Sequence, residues 1–165
     1  MFSIPIRTFL VSAFIAAGMS SASAALYNLS GVIDGAQSGT GSPGTGNILG
    51  SYDDVTNLLS WNVTWAGLIG SATVSHFHGP AAPGSNAGVQ QPFNATSPSI
   101  GSATATITGL QGSDLIDGLW YANIHSDVDP GGEIRGQVNA TLVPEPSGSL
   151  LAALAGFLVL CRRRR

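Results

Sequence analysis

The clearest periodicity in the chain runs from Leu58 to Ala66, where Leu59, Trp61, Val63 and Trp65 alternate with Ser60, Asn62 and Thr64. Alternate residues of an extended strand share a face, so this segment predicts a half-buried β-strand with both tryptophans in the core. Shorter apolar or alternating runs repeat the signal. Leu26 to Ile33 places Leu29 and Ile33 on one face, and Asn47 to Tyr52, Ala72 to His78, Ile100 to Thr108 and Leu119 to Ser126 follow. In Glu133 to Leu142, the residues Ile134, Val138 and Leu142 face away from Arg135, Gln137 and Asn139. Asp53 to Asn57 has the residues of a tight turn. Residues 35–46 read as a flexible polar loop; without a lysine or a following helix it is no phosphate cradle. Gly79 to Pro98 reads as a loop of twenty residues, a length usually kept for function. Ser113 to Asp117 allows one helical turn. The expected fold is all-β: an antiparallel β-sandwich of about seven to eight short strands.

Both ends break this pattern. Arg7, the apolar run Phe9 to Ala17 and the small residues Ala22-Ser23-Ala24 have the order of a secretory signal peptide over residues 1–24, cut between Ala24 and Ala25. That run is too short to span about 30 Å of hydrocarbon. At the other end, Pro144-Glu145-Pro146 precedes an apolar run from Leu150 to Cys161 and then Arg162, Arg163, Arg164 and Arg165. A helix from Ser147 to Cys161 would be roughly 22 Å long, a short membrane helix. The arginines behind it would stay on the cytoplasmic side. The division is therefore signal 1–24, domain 25–143 and tail 144–165.

Charge changes the picture once these ends are set aside. The central domain carries eight carboxylates against the single guanidinium of Arg135, a net charge of −7, and the chain has no lysine. Such a surface repels phosphate backbones, which excludes nucleic acid as a partner. Cys161, in the tail, is the only cysteine, so the domain folds without disulfides despite its expected export.

Candidate chemistry concentrates in two stretches, Ser75 to Gly84 and Tyr121 to Gln137, which hold all three histidines. His76 and His78 share a strand face, and His125 lies on another strand beside Tyr121 and Asn123 in the alternation. Two imidazoles at i and i+2 with a third from a neighbouring strand form a plausible site for Cu or Zn, with Asp127 or Asp129 as a supporting or fourth group. The alternative reading gives these imidazoles structural hydrogen bonds to the adjacent Gly-Pro loops. Asp127, Asp129 and Glu133 offer oxygen ligands for Ca²⁺, without the full spacing of a dedicated calcium loop. The competing reading makes them solvated turn acids, with Glu133 or Asp127 pairing Arg135. No G-x-S-x-G elbow marks a nucleophile. Two functions remain: a non-enzymatic binding or structural module, or a small envelope metal-binding protein.

The motifs H-x-H-G-P-A-A-P-G at residues 76–84, Y-x-N-x-H at 121–125 and P-G-G-E-I-R-G-Q at 130–137 resemble the CHRD domain, named after chordin, over roughly Leu26 to Leu142. CHRD domains occur in secreted proteins, so the resemblance implies export and gives no reaction. The H-x-H strand is also similar to the copper-site strand of Cu/Zn superoxide dismutase, which implies a dismutase-like sandwich. The further copper histidine, the zinc loop and the disulfide of that family are missing, so dismutase activity is not implied. The tail closely resembles the PEP-CTERM sorting signal of Gram-negative bacteria. That resemblance implies signal peptidase and an exosortase as processing partners, with transient anchoring in the inner membrane through the tail alone. It also implies a final place at the cell envelope, the cell surface or the extracellular matrix, where exopolysaccharide or another surface protein is the expected partner.

Overall fold

The computed structural model describes residues 25–93 and 103–144. The expected signal segment, and the tail from Glu145 onward, lie outside the described residues. Among the described residues no helix is long and apolar enough to cross a membrane.

Nine strands are described: β1 Leu26–Asp34, β2 Thr45–Asp53, β3 Leu58–Ala66, β4 Ala72–His78, β5 Val89–Pro92, β6 Ala103–Thr106, β7 Tyr121–Ser126, β8 Ile134–Gln137 and β9 Asn139–Leu142. All pairings are antiparallel, in the order β5-β4-β7-β8-β1-β2-β3-β6, with β9 also on β1. The expected last strand, Glu133 to Leu142, is divided at Val138, whose N–H donates to the Trp120 carbonyl at 2.8 Å. Up to Gln137 the chain lies between β7 and β1; beyond Val138 it continues along β1 in the same register and has parted from β7. The strands from β5 to β6 form one continuous sheet that curls over itself. Trp61 on β3 then meets Phe77 on β4 edge-on, with ring centroids 5.8 Å apart.

The β3 stripe is as the alternation predicts: Leu59, Trp61, Val63 and Trp65 are all buried. Leu29 and Ile33 of β1 join them in the core with Ile48, Trp120, Ile124, Ile134 and Val138. Each aliphatic side chain placed there contributes about 1.5–3 kcal/mol of transfer free energy. Leu142, expected in the core, is exposed, on a strand that has β1 as its one described neighbour.

Three segments hold more structure than their composition implies. Residues 35–46 open with a short helix, α1 Gly35–Ser38, capped by the Asp34 side chain, which accepts from Gln37 N–H at 2.7 Å. The rest of that loop is tied down: the Ser38 and Thr40 hydroxyls each donate to the Glu133 carbonyl at 2.7 Å. The loop after β4 is interrupted by β5, which pairs with β4 across a register shift at Phe77/His78. The expected single turn near Ser113 is the helix α2 Gly109–Ile116. Thr108 and Gln111 form its capping box, a T-x-x-Q signature that satisfies two N–H groups the helix start leaves unpaired.

Candidate metal centre

The site lies on the face of β4, β7 and β8 that points away from the core. Register places His76 opposite Asn123, His78 opposite Tyr121 and Val74 opposite His125. On the far side of β7, Arg135 is opposite Asn123 and Gln137 opposite Tyr121. Phe77, Ala122 and Ile124 point the other way and are buried in the core, which fixes the polar face by strand alternation.

The three histidines converge. Each offers a ring nitrogen such that the three atoms lie within 4.8 Å of one another. Ring centroids are 5.3 Å apart for His76 and His78, 5.1 Å for His76 and His125, and 5.7 Å for His78 and His125. His76 Nδ1 is 3.2 Å from His125 Nε2. Two nitrogens bound at about 2.0–2.1 Å to a tetrahedral ion would be roughly 3.3 Å apart.

Carbonyl groups set the ring orientations. His125 Nδ1 is 2.8 Å from the Pro130 carbonyl, and His78 Nδ1 is 2.9 Å from the Ala87 carbonyl. A carbonyl oxygen only accepts, so each Nδ1 carries the proton and each Nε2 keeps its lone pair. The loop hydrogen bonds expected as the structural alternative are therefore present, and they prepare the rings for a ligand role instead of competing with it. His78 Nε2 is buried and has no hydrogen-bond partner among the described residues. A buried acceptor left in this state carries a desolvation cost of about 1–3 kcal/mol.

Burial favours the neutral form of His76 and His78. Burial lowers the pKa of His76 below its usual value, helped by the neighbouring His125 and His78. Burial also lowers that of His78; the Ala87 hydrogen bond opposes this, while His125 and Arg135 reinforce it. Tyr121 stacks on His78 at 5.1 Å and 10°, and the Arg135 guanidinium carbon sits 3.7 Å from the centre of the Tyr121 ring. One loop clamps the stack. Ala87 N–H donates to the Tyr121 hydroxyl at 3.1 Å, and Arg135 donates to Asn86 Oδ1 and the Ser85 carbonyl, both at 3.0 Å.

The acidic residues fall elsewhere. Among the described residues, the histidines make up the one group of three or more His, Cys, Asp or Glu with metal-ligand spacing. Asp127 accepts from Ser71 N–H at 2.7 Å. Glu133 is fully buried and accepts from the Ser42 hydroxyl and Ile69 N–H at 2.6 Å and from Gly70 N–H at 3.1 Å. Asp127, Asp129 and Glu133 thus do not assemble a calcium loop. Glu133 is not a solvated turn acid, and Arg135 bonds to neutral groups and an aromatic face. The imidazole-orienting groups are carbonyls, not Asp127 or Asp129. The sequence reading pointed to the loops but not to the individual carbonyls of Ala87 and Pro130, because main-chain acceptors leave no residue-type signature.

Residues 29–138 match the family model of the CHRD domain. The chain belongs to the CHRD domain family. No curated protein and no solved structure matches it. The matched span of the CHRD domain includes His76, His78, His125 and Arg135, together with both loops that hold them.

Proposed function

We propose that this chain is an exported CHRD module of the bacterial cell surface, and that its binding chemistry is a three-histidine site for Cu²⁺ or Zn²⁺. The observation that carries the metal reading is His78 Nε2, buried and without a hydrogen-bond partner among the described residues, beside the His76–His125 pair. Three imidazoles from two adjacent strands supply a ligand set typical of first-row ions, with a fourth position left for water or a partner group. Asp127 and Glu133 are engaged by backbone N–H groups, which favours a binding or structural role over turnover. The export reading rests on Arg7, the apolar run after it and the small residues ending at Ala24. The surface reading rests on the Pro144-Glu145-Pro146 tail with its apolar run and four arginines. Exopolysaccharide or another surface protein is the partner this placement favours.

Purified protein takes up about one equivalent of Cu²⁺ or Zn²⁺ at neutral pH, read by calorimetry after chelator treatment. Free metal at about 100 times Kd raises the unfolding free energy by about 2.7 kcal/mol. His78→Ala loses both effects. Neutral imidazoles are required, so affinity falls as protons compete. Because the pKa values of His76 and His78 are lowered, that fall sets in below the usual value of about 6.5. Indifference of the wild-type protein to both ions overturns the reading.

Processing has a separate test. Protein recovered from a host with the sorting enzyme begins near Ala25 and has lost Arg162 to Arg165. Intact-mass measurement decides it, and a stable species retaining both ends refutes the export and sorting readings.

A further inference from the structure

The three-histidine ligand set brings no charge of its own. Among the described residues no carboxylate or thiol joins His76, His78 and His125 at ligand distance, so a bound ion keeps its full formal charge. A fixed positive charge lies behind one of the rings. Arg135 is the only arginine between Arg7 and Arg162, in a chain without lysine. Its guanidinium carbon is 3.7 Å from the centre of the Tyr121 ring, and that ring stacks on His78 at 5.1 Å. Arg135, Tyr121 and His78 are all buried, so protein and not water fills the space between guanidinium and imidazole.

A buried guanidinium is ordinarily matched by a carboxylate. Arg135 donates to Asn86 Oδ1 and the Ser85 carbonyl, both at 3.0 Å, and these neutral acceptors leave its charge in place. Asp129 shares a cavity wall with Arg135 but is partly exposed, and Asp127 is exposed, so water screens both more strongly than the guanidinium. Burial, and with it the Arg135 charge, lowers the His78 pKa. A field that opposes a proton at this ring opposes a metal ion in proportion to the ion's charge.

We propose that Arg135 sets the charge selectivity of the three-histidine site, disfavouring dications and shifting its preference toward Cu⁺. The inference rests on the metal reading above and adds the residue that discriminates among ions. Arg135 is not a ligand; it acts across the Tyr121 ring. With about 3 Å from the His78 ring centre to a bound ion, guanidinium and ion are within about 12 Å of each other. At an effective dielectric constant of about 20–40, that separation costs roughly 3- to 10-fold in affinity per unit of ion charge. Cu⁺ meets this penalty once, Cu²⁺ and Zn²⁺ twice.

The test uses the full chain stripped with EDTA and compares Zn²⁺ with Cu⁺, two filled-shell ions that differ in charge. Zn²⁺ is read by calorimetry. Cu⁺ is read anaerobically, with ascorbate as reductant, against a chromophoric Cu⁺ chelator. In Arg135→Gln the ratio of Zn²⁺ to Cu⁺ affinity rises about 3- to 10-fold over wild type. Arg135→Met, whose stem still packs on Tyr121, gives the same rise and serves where the glutamine variant fails to fold. In Arg135→Lys, which keeps the charge but not the planar fork, the ratio stays within about 2-fold of wild type. Loosening of the loop that holds His78 moves both affinities together, so the ratio reads charge alone. An unchanged ratio in the neutral variants, an equal rise in Arg135→Lys, or wild-type protein that takes Zn²⁺ and no Cu⁺ overturns the proposal and leaves the metal site standing. Wild-type protein that binds neither ion overturns the metal reading, and this inference with it.

Discussion

Trp120→Ala lowers the unfolding free energy by about 3–5 kcal/mol, the cost of removing a fully enclosed large aromatic side chain. Trp120 is 0% exposed and lies between the two halves of the curled sheet, with its ring 6.1 Å from that of Phe77. Its carbonyl receives the Val138 N–H at the point where the last strand parts from β7. Loss of the ring therefore opens a cavity beside the junction that closes the fold. For a domain of this size the melting temperature falls by roughly 10–20 °C. The indole Nε1 is buried without a partner among the described residues, so it adds a desolvation cost to the native state. Trp120→Phe removes that donor while keeping most of the ring volume, and costs less than about 2 kcal/mol. Urea denaturation followed by circular dichroism checks both. An alanine variant within about 1 kcal/mol of wild type would show that the ring does not fill the space between the halves.

Much of this fold was legible because one sheet face is buried and period two is then unambiguous. Leu59, Trp61, Val63 and Trp65 could be placed in the core from alternation alone, as could Leu29 and Ile33. What alternation cannot show is where a strand loses one of its two neighbours, as the last strand loses β7 while staying on β1. Ile134 and Val138 are buried on one face, while Leu142, four residues on and beyond the end of the β7 pairing, is exposed. The α2 helix hid for a different reason. Gly109, Gly112 and Ser113 are weak helix formers, and the capping box at Thr108 and Gln111 outweighs them only once the helix packs, with Leu115 buried.

The candidate site was legible to the extent that it depends on strand geometry. The i, i+2 spacing put His76 and His78 together, and β7 beside β4 brought His125 to them. Its supporting groups are main-chain carbonyls from Ala87 and Pro130, whose positions follow from loop conformation. The carboxylates misled for the same reason. Asp127 and Glu133 are adjacent in sequence to the histidine stretch, yet their loop turns them toward backbone N–H groups of the segment before β4.

Glu133 carries the other large effect. Burial alone would push its pKa up. Hydrogen bonds from Ser126 and Ser42 and from the Ile69 and Gly70 N–H groups outweigh that and hold it at about 2. The carboxylate thus pins three loops at one buried point: the segment after α1, the turn before β4 and the end of β7. A carboxyl group whose folded pKa lies below its unfolded one contributes stability that is fully present above the unfolded value. That stability is lost as pH falls through the folded value. With an unfolded value near 4.5 and a folded value of about 2, the contribution at neutral pH is about 3 kcal/mol. Glu133→Gln keeps the shape but turns an N–H₂ group toward donors, so it costs about 3 kcal/mol or slightly more at pH 7. Wild-type stability should then fall toward that of the variant as pH drops from about 4.5 to about 2, where the native carboxyl is itself protonated. Other acids titrate alike in both proteins, so the difference between the two stability curves isolates this group. A gap that stays constant across that window would mean that shape alone, and not the ionised carboxylate, holds the three loops together.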